Sequence, residues 1–521
     1  MYVVDWLHKQ ALHIPDKIAL VDVASGRELS YRRFNERASR CAEYLLGLGL
    51  AEGARVAVLA HNSSDYLEWL YGCAKAGMVM VCLNWRLPVA ELLPILADAE
   101  PDLLVYGRPF EENAQALLAQ LARLRQRAAV VIGDAGDASA NANAVPYEAC
   151  LAGASGRIIE MPARAMDQVW HLLYTSGTTG KPKGVMQTYG MVFFNAVNCM
   201  LATGLSGRDV LLNVLPFFHT GGLNLYTNPV LHAGGTVHIM QQFDAGQTIE
   251  LLDSSVTLFL GVPAVYLLMS QHPGFGQARF RAMRHWSAGG SPMAHSLLEL
   301  YQAKGITICF GFGMTETGPT VFICGEDTAR RKTGSIGRPV GSMRTRVVLA
   351  DGADAGPHQR GELYIKGPGV TPGYWKLPQA SAEAIVDGWL HSGDIAYFDD
   401  DGDYYIVDRA KDMYISGAEN VYPAEVENVL FQMPQIADAA VIGVADATWG
   451  DVGAAIVVLK SEQALGAAEL RAFCRTQLSG YKVPKHVVFL DALPRTPSGK
   501  LEKHKLRSRF ADLGDQEGVP R

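Results

Sequence analysis

No stretch of this 521-residue chain approaches the roughly 18 consecutive apolar residues of a membrane span, although 49% of its residues are hydrophobic. Integral membrane association is therefore not expected. The eight cysteines are scattered, without a CxxC pair or a dense framework, which sets aside disulfide scaffolds and zinc ribbons and leaves reduced core residues. Positive charge is also in short supply. With 46 basic against 53 acidic residues, the net charge of −7 gives no reason to expect nucleic acid as a partner. The opening residues, MYVVDWLHKQALHIPDK, lack a cationic start, a long apolar run and a small-residue cleavage site, so a signal peptide is not expected and a cytoplasmic location is. No period of 20–50 residues repeats. A homodimer is left open by the sequence.

What the chain does have is length for two or more domains and a steady alternation of strand-like and helix-like segments. Residues 55–60, 78–83 and 102–106 read as buried strands. Residues 31–46 read as a helix with Phe34, Ala38, Cys41 and Leu45 on one face, and helices over 64–77 and 89–98 separate the strands. Residues 133–156, rich in Ala, Gly, Asn and Asp, read as a loose surface connection. Alternation resumes at 210–216, 234–240, 257–263 and 306–313. This predicts an α/β fold with mostly parallel sheet. The last 110 residues read as a small α+β unit, with helices at Pro423 and over 468–478 and strands over 439–444 and 454–460.

The most informative stretch is YTSGTTGKPKGV, residues 174–185. A buried run, 169–174, feeds Thr175, Ser176, Gly177, Thr178, Thr179 and Gly180, followed by Lys181 and Lys183. Glycines allow close backbone approach, successive N–H groups and hydroxyls form a concave anion site, and lysine adds a point charge. The pattern predicts a triphosphate cradle. A Walker loop needs four residues between its first glycine and the Gly-Lys pair, and only Thr178 and Thr179 stand there; nor is this a GxGxxG turn.

This stretch resembles, almost letter for letter, the phosphate loop of the adenylate-forming superfamily, which includes acyl-CoA synthetases, luciferases and peptide-synthetase adenylation domains. Further segments fall in the family's order over roughly residues 10–510. PFFHTGGLN, residues 216–224, reads as a strand ending at His219; the resemblance makes His219 a gate to a carboxylate pocket, with Gly221 and Gly222 as a tunnel floor and Phe310 and Gly311 on the wall. SAGGSP, residues 287–292, resembles the adenine segment, with Ala288, Gly289, Gly290 and Ser291 against the base. In GFGMTETG, residues 311–318, Gly311 and Gly313 permit approach to a flat ligand, and the match brings Phe312, Met314 and Thr315 to the nucleotide. A carboxylate beside a polyphosphate suits Mg²⁺, a hard cation taking oxygen ligands; by the match Glu316, with Thr175, holds it.

The resemblance further implies that Asp394 and Arg409 clasp the ribose, that Lys411 is a hinge, and that Asn420 contacts a nucleotide phosphate. Ser416, Gly417, Ala418 and Glu419 match the loop closing a tunnel for coenzyme A, with Ala418 where the family usually has a second glycine. Lys500, on a Ser-Gly turn, matches the catalytic lysine. Residues 481–510 carry eight basic and two acidic groups, a lid-like asymmetry in an acidic chain; Lys503, Lys505 and Arg507 read as solvated tail residues.

The expected architecture is a large multi-layer α/β N-terminal domain, 1–410, with a small α+β lid, 411–521. The expected enzyme is an AMP-forming acid–thiol ligase using ATP, Mg²⁺ and coenzyme A on a small-molecule carboxylic acid. Residues at Thr175, His219, Glu316 and Lys500 would carry the chemistry. Glycines at 221 and 222 with apolar neighbours favour a medium- or long-chain fatty acid, with aryl acids next. A stand-alone ligase loading a carrier protein in trans, a luciferase-like oxygenase and a non-catalytic nucleotide-binding regulator are the alternatives.

Overall fold

A computed structural model describes residues 1–133, 144–176, 182–290, 293, 295–416, 419–446, 449–461, 463–496 and 501–513. By contact the chain divides into two units. One comprises Met1–Gly290, Thr307–Thr345 and Ile365–Leu390; the other comprises Ser291–Ile306, Arg346–Tyr364 and His391–Arg521.

The first unit holds two large sheets. In the seven-stranded sheet the order is Pro182–Thr188, Val169–Ser176, Val79–Cys82, Arg55–Leu59, Leu103–Gly107, Ala129–Ile132 and Ala144–Pro146. Every neighbouring pair is parallel except the first, an antiparallel hairpin. In the eight-stranded sheet the parallel centre runs Ile308–Phe312, His285–Ala288, Leu258–Gly261, Val210–Asn213, Thr236–Ile239 and Ile18–Asp22. The predicted α/β alternation thus produces parallel sheets buried on both faces, as their continuous Val/Leu/Ile runs require.

Sequence explains the helices between them. Ser63 caps the amide of Tyr66 to start Ser64–Ala76, and Gly77 at φ +75 ends it, a conformation that favours glycine. Nearly every residue of this helix is buried. One core joins Phe34 and Trp69 with Val56 and Met80 of the first sheet and Leu211 and Leu258 of the second. Burying each such large side chain contributes about 1.5–3 kcal/mol. All eight cysteines are buried, and none is in a disulfide. Among the described residues no helix is long and apolar enough to cross a membrane.

In the second unit, Ile436–Asp446 and Gly450–Leu459 form a long hairpin, and the outer edge of Gly450–Leu459 takes both Tyr414–Ser416, itself paired with Glu419–Val421, at Gly450 and His486–Phe489 over residues 454–457. Pro423 opens the helix Pro423–Leu430 as predicted. The expectation of a solvated 503–507 segment fails for two residues. Lys503 Nζ lies 2.8 Å from Glu427 with its side chain 11% exposed, and Arg507 pairs with Asp412 at 2.8 Å. The helix Lys503–Arg509 seats Leu506 in the core, which carries its basic neighbours inward to the half-buried carboxylates of Glu427 and Asp412.

Two other expectations need correction. The loop expected over 133–156 includes, in its described part, the strand Ala144–Pro146 and the helix Tyr147–Ala152, which buries Tyr147, Cys150 and Leu151. Six residues are too few to show a helical period. The strand expected to end at His219 ends at Asn213, whose amide donates to the Leu215 carbonyl and turns the chain.

Candidate active site

The hairpin Val169–Ser176/Pro182–Thr188 pairs Thr175 with Lys183 and Ser176 with Pro182, so Thr175 and Lys183 face one another where the strands leave the sheet. Tyr174 packs against Gly184 and donates to Asp98 at 2.6 Å, which fixes the hairpin to the sheet. Beside it lies the segment 371–375. Trp375 N donates to Gly184 O at 2.7 Å, Met186 N to Gly373 O at 3.2 Å, and Thr371 Oγ1 to Met186 O at 2.7 Å.

That segment brings Glu316 to the hairpin. Thr315–Thr317 is a single 3₁₀ turn after the strand Ile308–Phe312, with Thr315 and Glu316 only 7% and 8% exposed. Thr371 N donates to Glu316 O at 2.8 Å, and Gln187 Nε2 donates to Thr315 O at 2.7 Å, so the turn is held on both sides. Tyr374 Oη donates to the Glu316 carboxylate at 3.1 Å, and the Lys183 ammonium stands 4.8 Å from the centroid of the same ring. Burial, reinforced by the adjacent carboxylate, raises the Tyr374 hydroxyl well above its ordinary value and keeps it a donor.

A buried polar chain ties this turn to the His219 segment. The Asn224 amide donates to Gln187 Oε1 at 3.2 Å and meets His171 Nε2 at 3.2 Å; all three side chains are fully buried. Burial holds His171 down to about 3, so its imidazole is neutral. Gly221–Leu225 forms a π-helical turn, and Gly221 N donates to His219 Nδ1 at 3.2 Å, which leaves the ring proton on Nε2.

The adenine-like segments meet at the carboxyl ends of parallel strands, where α/β sheets bind ligands. Ala288 pairs with Gly261 and with Phe310, and Gly290 adopts φ +86. A Cβ on Gly313 would stand 1.5 Å from Pro319 O, so no larger residue fits. Nearby, Tyr226 Oη, Ser287 Oγ and His285 Nε2 form a triangle with sides of 2.9, 3.2 and 2.7 Å. In the second unit Asp394 and Arg409 are cross-strand partners, with Arg409 Nε 2.9 Å from Asp394 Oδ1 and Asp394 3% exposed.

A family model described as AMP-binding enzyme matches residues 7–375, and one for the AMP-binding enzyme C-terminal domain matches 425–500. The chain belongs to the AMP-binding enzyme family. This AMP-binding enzyme is 39% identical to a feruloyl-CoA synthase of Amycolatopsis sp over 93% of its own length and 94% of the relative's. It is 36% identical to the long-chain-fatty-acid–CoA ligase FadD13 of Mycobacterium tuberculosis over 98% of each chain. Its fold matches the o-succinylbenzoate-CoA synthetase MenE of Bacillus subtilis bound to ATP and magnesium ion, at TM-score 0.84 and 30% identity, covering 97% and 100% of the two chains. The same synthetase, in complex with the acyl-adenylate OSB-AMP, matches at TM-score 0.84. These matches place the AMP-binding enzyme in the adenylate-forming superfamily, with the acyl-CoA synthetases.

Of the residues singled out from sequence, the structure gathers Thr175, Lys183, Thr315 and Glu316 through Tyr374, Thr371 and Gln187, and separately pairs Asp394 with Arg409. Lys411, Glu419 and Asn420 are exposed, and Ser416 is buried in register with Gly450. Gly177, Thr178, Thr179, Gly180, Lys181, Ser291, Gly417, Ala418 and Lys500 lie outside the described residues. Two glycine readings change: the room expected for a ligand at Gly313 is taken by the Pro319 carbonyl, and Gly222 is filled in the same way. A Cβ on Gly222 would lie 2.3 and 2.5 Å from the Pro216 and Leu215 carbonyl oxygens, so this glycine serves a close backbone contact and opens no space. At Gly221 the nearest atom would be His219 Nδ1 at 3.4 Å, an ordinary van der Waals contact.

Sequence reading missed Tyr374, Gln187 and His171 as parts of the site, and gave Asn224, at the end of the 216–224 segment, no role. Tyr374 follows a Thr-Pro-Gly turn in a stretch that carried no obvious chemistry. Gln187 carried a weak signal, a polar residue amid the apolar positions of a strand.

Proposed function

We propose that this protein is an ATP-dependent acyl-CoA synthetase that joins a carboxylic acid to AMP with release of pyrophosphate and then passes the acyl group to coenzyme A. Its family is that of acyl- and aryl-CoA ligases. The observation that carries the reading is the convergence of the Thr175/Lys183 hairpin and the Thr315/Glu316 turn on Tyr374.

Carboxylate and triphosphate repel one another, so neutralising charge is the first task of such a site. Lys183 at the hairpin mouth supplies fixed positive charge. The Glu316 carboxylate, held through the backbone at Thr315 and Glu316, keeps oxygen lone pairs beyond the one Tyr374 occupies, which fits an oxygen-seeking cation; Thr175 adds a hydroxyl across the hairpin. Mg²⁺ held there would supply electrostatic stabilisation of phosphate oxygens. His219, with Nε2 protonated, would orient the acid. Asp394 and Arg409 would hold the ribose hydroxyls, and Asn420 a phosphate. Lys500 would bring the cation that joins the anionic partners. Residues 411–521, moving about Lys411 relative to 1–410, would then exchange Lys500 for the Ser416–Glu419 loop during thioester formation.

For the acid itself the first reading is a medium- or long-chain fatty acid, from the apolar neighbours of Gly221. A second reading, an aryl acid with a polar ring substituent, is favoured by the Tyr226–His285–Ser287 triangle beside Ala288. The test supplies ATP, Mg²⁺ and coenzyme A with a panel from octanoate to palmitate and from benzoate to ferulate, following AMP release and thioester mass. Thioester with at least one acid is expected; AMP without thioester would point to another acceptor, and no AMP with any acid would end the reading. Lys500→Ala is expected to abolish AMP release yet leave conversion of a supplied acyl-adenylate largely intact, and equal loss of both steps would remove Lys500 from its role.

A further inference from the structure

We infer that Tyr374 is a positioning residue that sets both charged groups of the nucleotide site, its hydroxyl aiming the Glu316 carboxylate and its ring face holding the Lys183 ammonium. The inference rests on the function proposed above and adds to it a residue, outside the phosphate loop and the Thr-Glu turn, on which both depend.

Geometry carries it. The backbone around Glu316 is already fixed by Thr371 N and Gln187 Nε2, so what remains to be oriented is the side chain. Among the described residues its carboxylate has one hydrogen-bond partner, Tyr374 Oη at 3.1 Å. On the other side of the hairpin, the Lys183 ammonium stands 4.8 Å from the Tyr374 ring centroid, within the reach of cation–π attraction. Tyr374 is itself locked: it bridges to Val185, its N accepts no freedom because it donates to Ser381 Oγ at 2.9 Å, and Trp375 N holds Gly184 O. Its backbone is therefore fixed, and the phenol is held in place by Glu316 on its hydroxyl and Lys183 on its face.

The two contacts reinforce one another. A phenol that donates to a carboxylate gains electron density in its ring, and a more negative ring face holds a cation better. Tyr374 also stands between a flexible lysine and a glutamate of opposite sign. Among the described residues these two form no salt bridge, so both charges stay available to a ligand. Were the ring absent, Lys183 and Glu316 would be drawn toward each other, and each would neutralise the group the other is meant to meet.

The test separates the hydroxyl from the ring. Binding of a non-hydrolysable ATP analogue to the full-length protein is measured by calorimetry over a series of Mg²⁺ concentrations, for the wild type, Tyr374→Phe and Tyr374→Leu, with unfolding midpoints recorded alongside. Tyr374→Phe keeps the ring and is expected to raise the Mg²⁺ concentration for half-maximal binding by about 10-fold, as loss of an outer partner of a metal ligand does. Its affinity for the analogue without Mg²⁺ should stay that of the wild type. Tyr374→Leu is expected to show the same Mg²⁺ shift and, in addition, a roughly 3- to 10-fold loss of Mg²⁺-free affinity from the missing ring face. An unchanged Mg²⁺ midpoint in Tyr374→Phe overturns the inference, as does a parallel loss of nucleotide, Mg²⁺ response and unfolding midpoint in both variants. A wild type that fails to bind the analogue overturns the proposed function itself.

Discussion

Glu68 and Glu316 are both buried carboxylates of the first unit, yet one is saturated and the other is not. Glu68, 0% exposed, accepts from Arg27 at 2.9 Å and Arg37 at 2.6 Å on one oxygen and from Tyr147 at 2.8 Å on the other. Arg37 in turn forks onto Glu148 at 2.5 and 3.1 Å, and Arg27 reaches Asp65 at 2.7 Å. Burial pushes the Glu68 carboxyl up to about 7, against the pull of its arginines. Among the described residues Glu316 accepts from one phenol, and its backbone is held by Thr371 N. A charge cluster that closes on itself holds helices together; one left with spare lone pairs is held ready for a ligand. The second unit repeats the contrast, with Lys503, its side chain 11% exposed, against Glu427 and Arg409 half-exposed on Asp394.

The contrast predicts where stability and activity separate. Arg37→Met takes from the buried Glu68 one of its two arginines and from Glu148 its forked partner, and is expected to cost about 3 kcal/mol in urea unfolding, while activity per folded molecule is retained. An unfolding free energy within 1 kcal/mol of wild type, on the order of ordinary surface changes, would erase the distinction. Lys503→Met should cost about 3 kcal/mol in the second unit for the same reason, and adding Glu427→Gln should recover part of it by removing the orphaned charge. Asp394→Asn is expected to raise the KM for ATP by about 10-fold, near 1.4 kcal/mol, with a small change in unfolding midpoint; a large midpoint shift with unchanged KM would move this pair into the structural class.

One further effect, that of His171, emerges only as the solution is acidified. Burial holds its imidazole at about 3 in the folded chain, against 6.5 for the ordinary group. The unfolded chain takes up a proton that the folded one refuses, so this contribution is full above pH 6.5 and is lost as pH falls toward 3. The loss approaches about 1.4 kcal/mol per pH unit for one proton. Urea unfolding at pH 7, 6 and 5 should show a shallower decline for His171→Gln than for the wild type; parallel declines would mean that other groups dominate.

Much of the fold was legible because its signals are local. Valine-rich runs bounded by glycine marked the parallel strands, and Gly77 or Pro423 marked helix ends. Of the candidate site, sequence pointed to the segments 174–185 and 311–318, whose described residues Thr175, Lys183, Thr315 and Glu316 are brought together by Tyr374 and its neighbours, and to Asp394 and Arg409, which are cross-strand partners. What stayed hidden depends on distant contacts. Nothing in the neighbourhood of Tyr374, Gln187 or Asn224 says that they meet, since they lie on three segments joined only by folding. Lys503 looks like any basic tail residue until Leu506 is seen to anchor its helix. Gly222 looked like open space, and only the carbonyls of Leu215 and Pro216 show that it is filled.

The most direct test of the central claim is acid-dependent exchange of labelled pyrophosphate into ATP, run on the wild type and on Glu316→Gln with an acid from the panel. The account predicts exchange by the wild type only when the acid is present, and a loss of about 100- to 1000-fold in the variant with its unfolding midpoint preserved, the size seen when one group stabilising transition-state charge is removed. Equal exchange by both proteins, or exchange that ignores the acid, would contradict it.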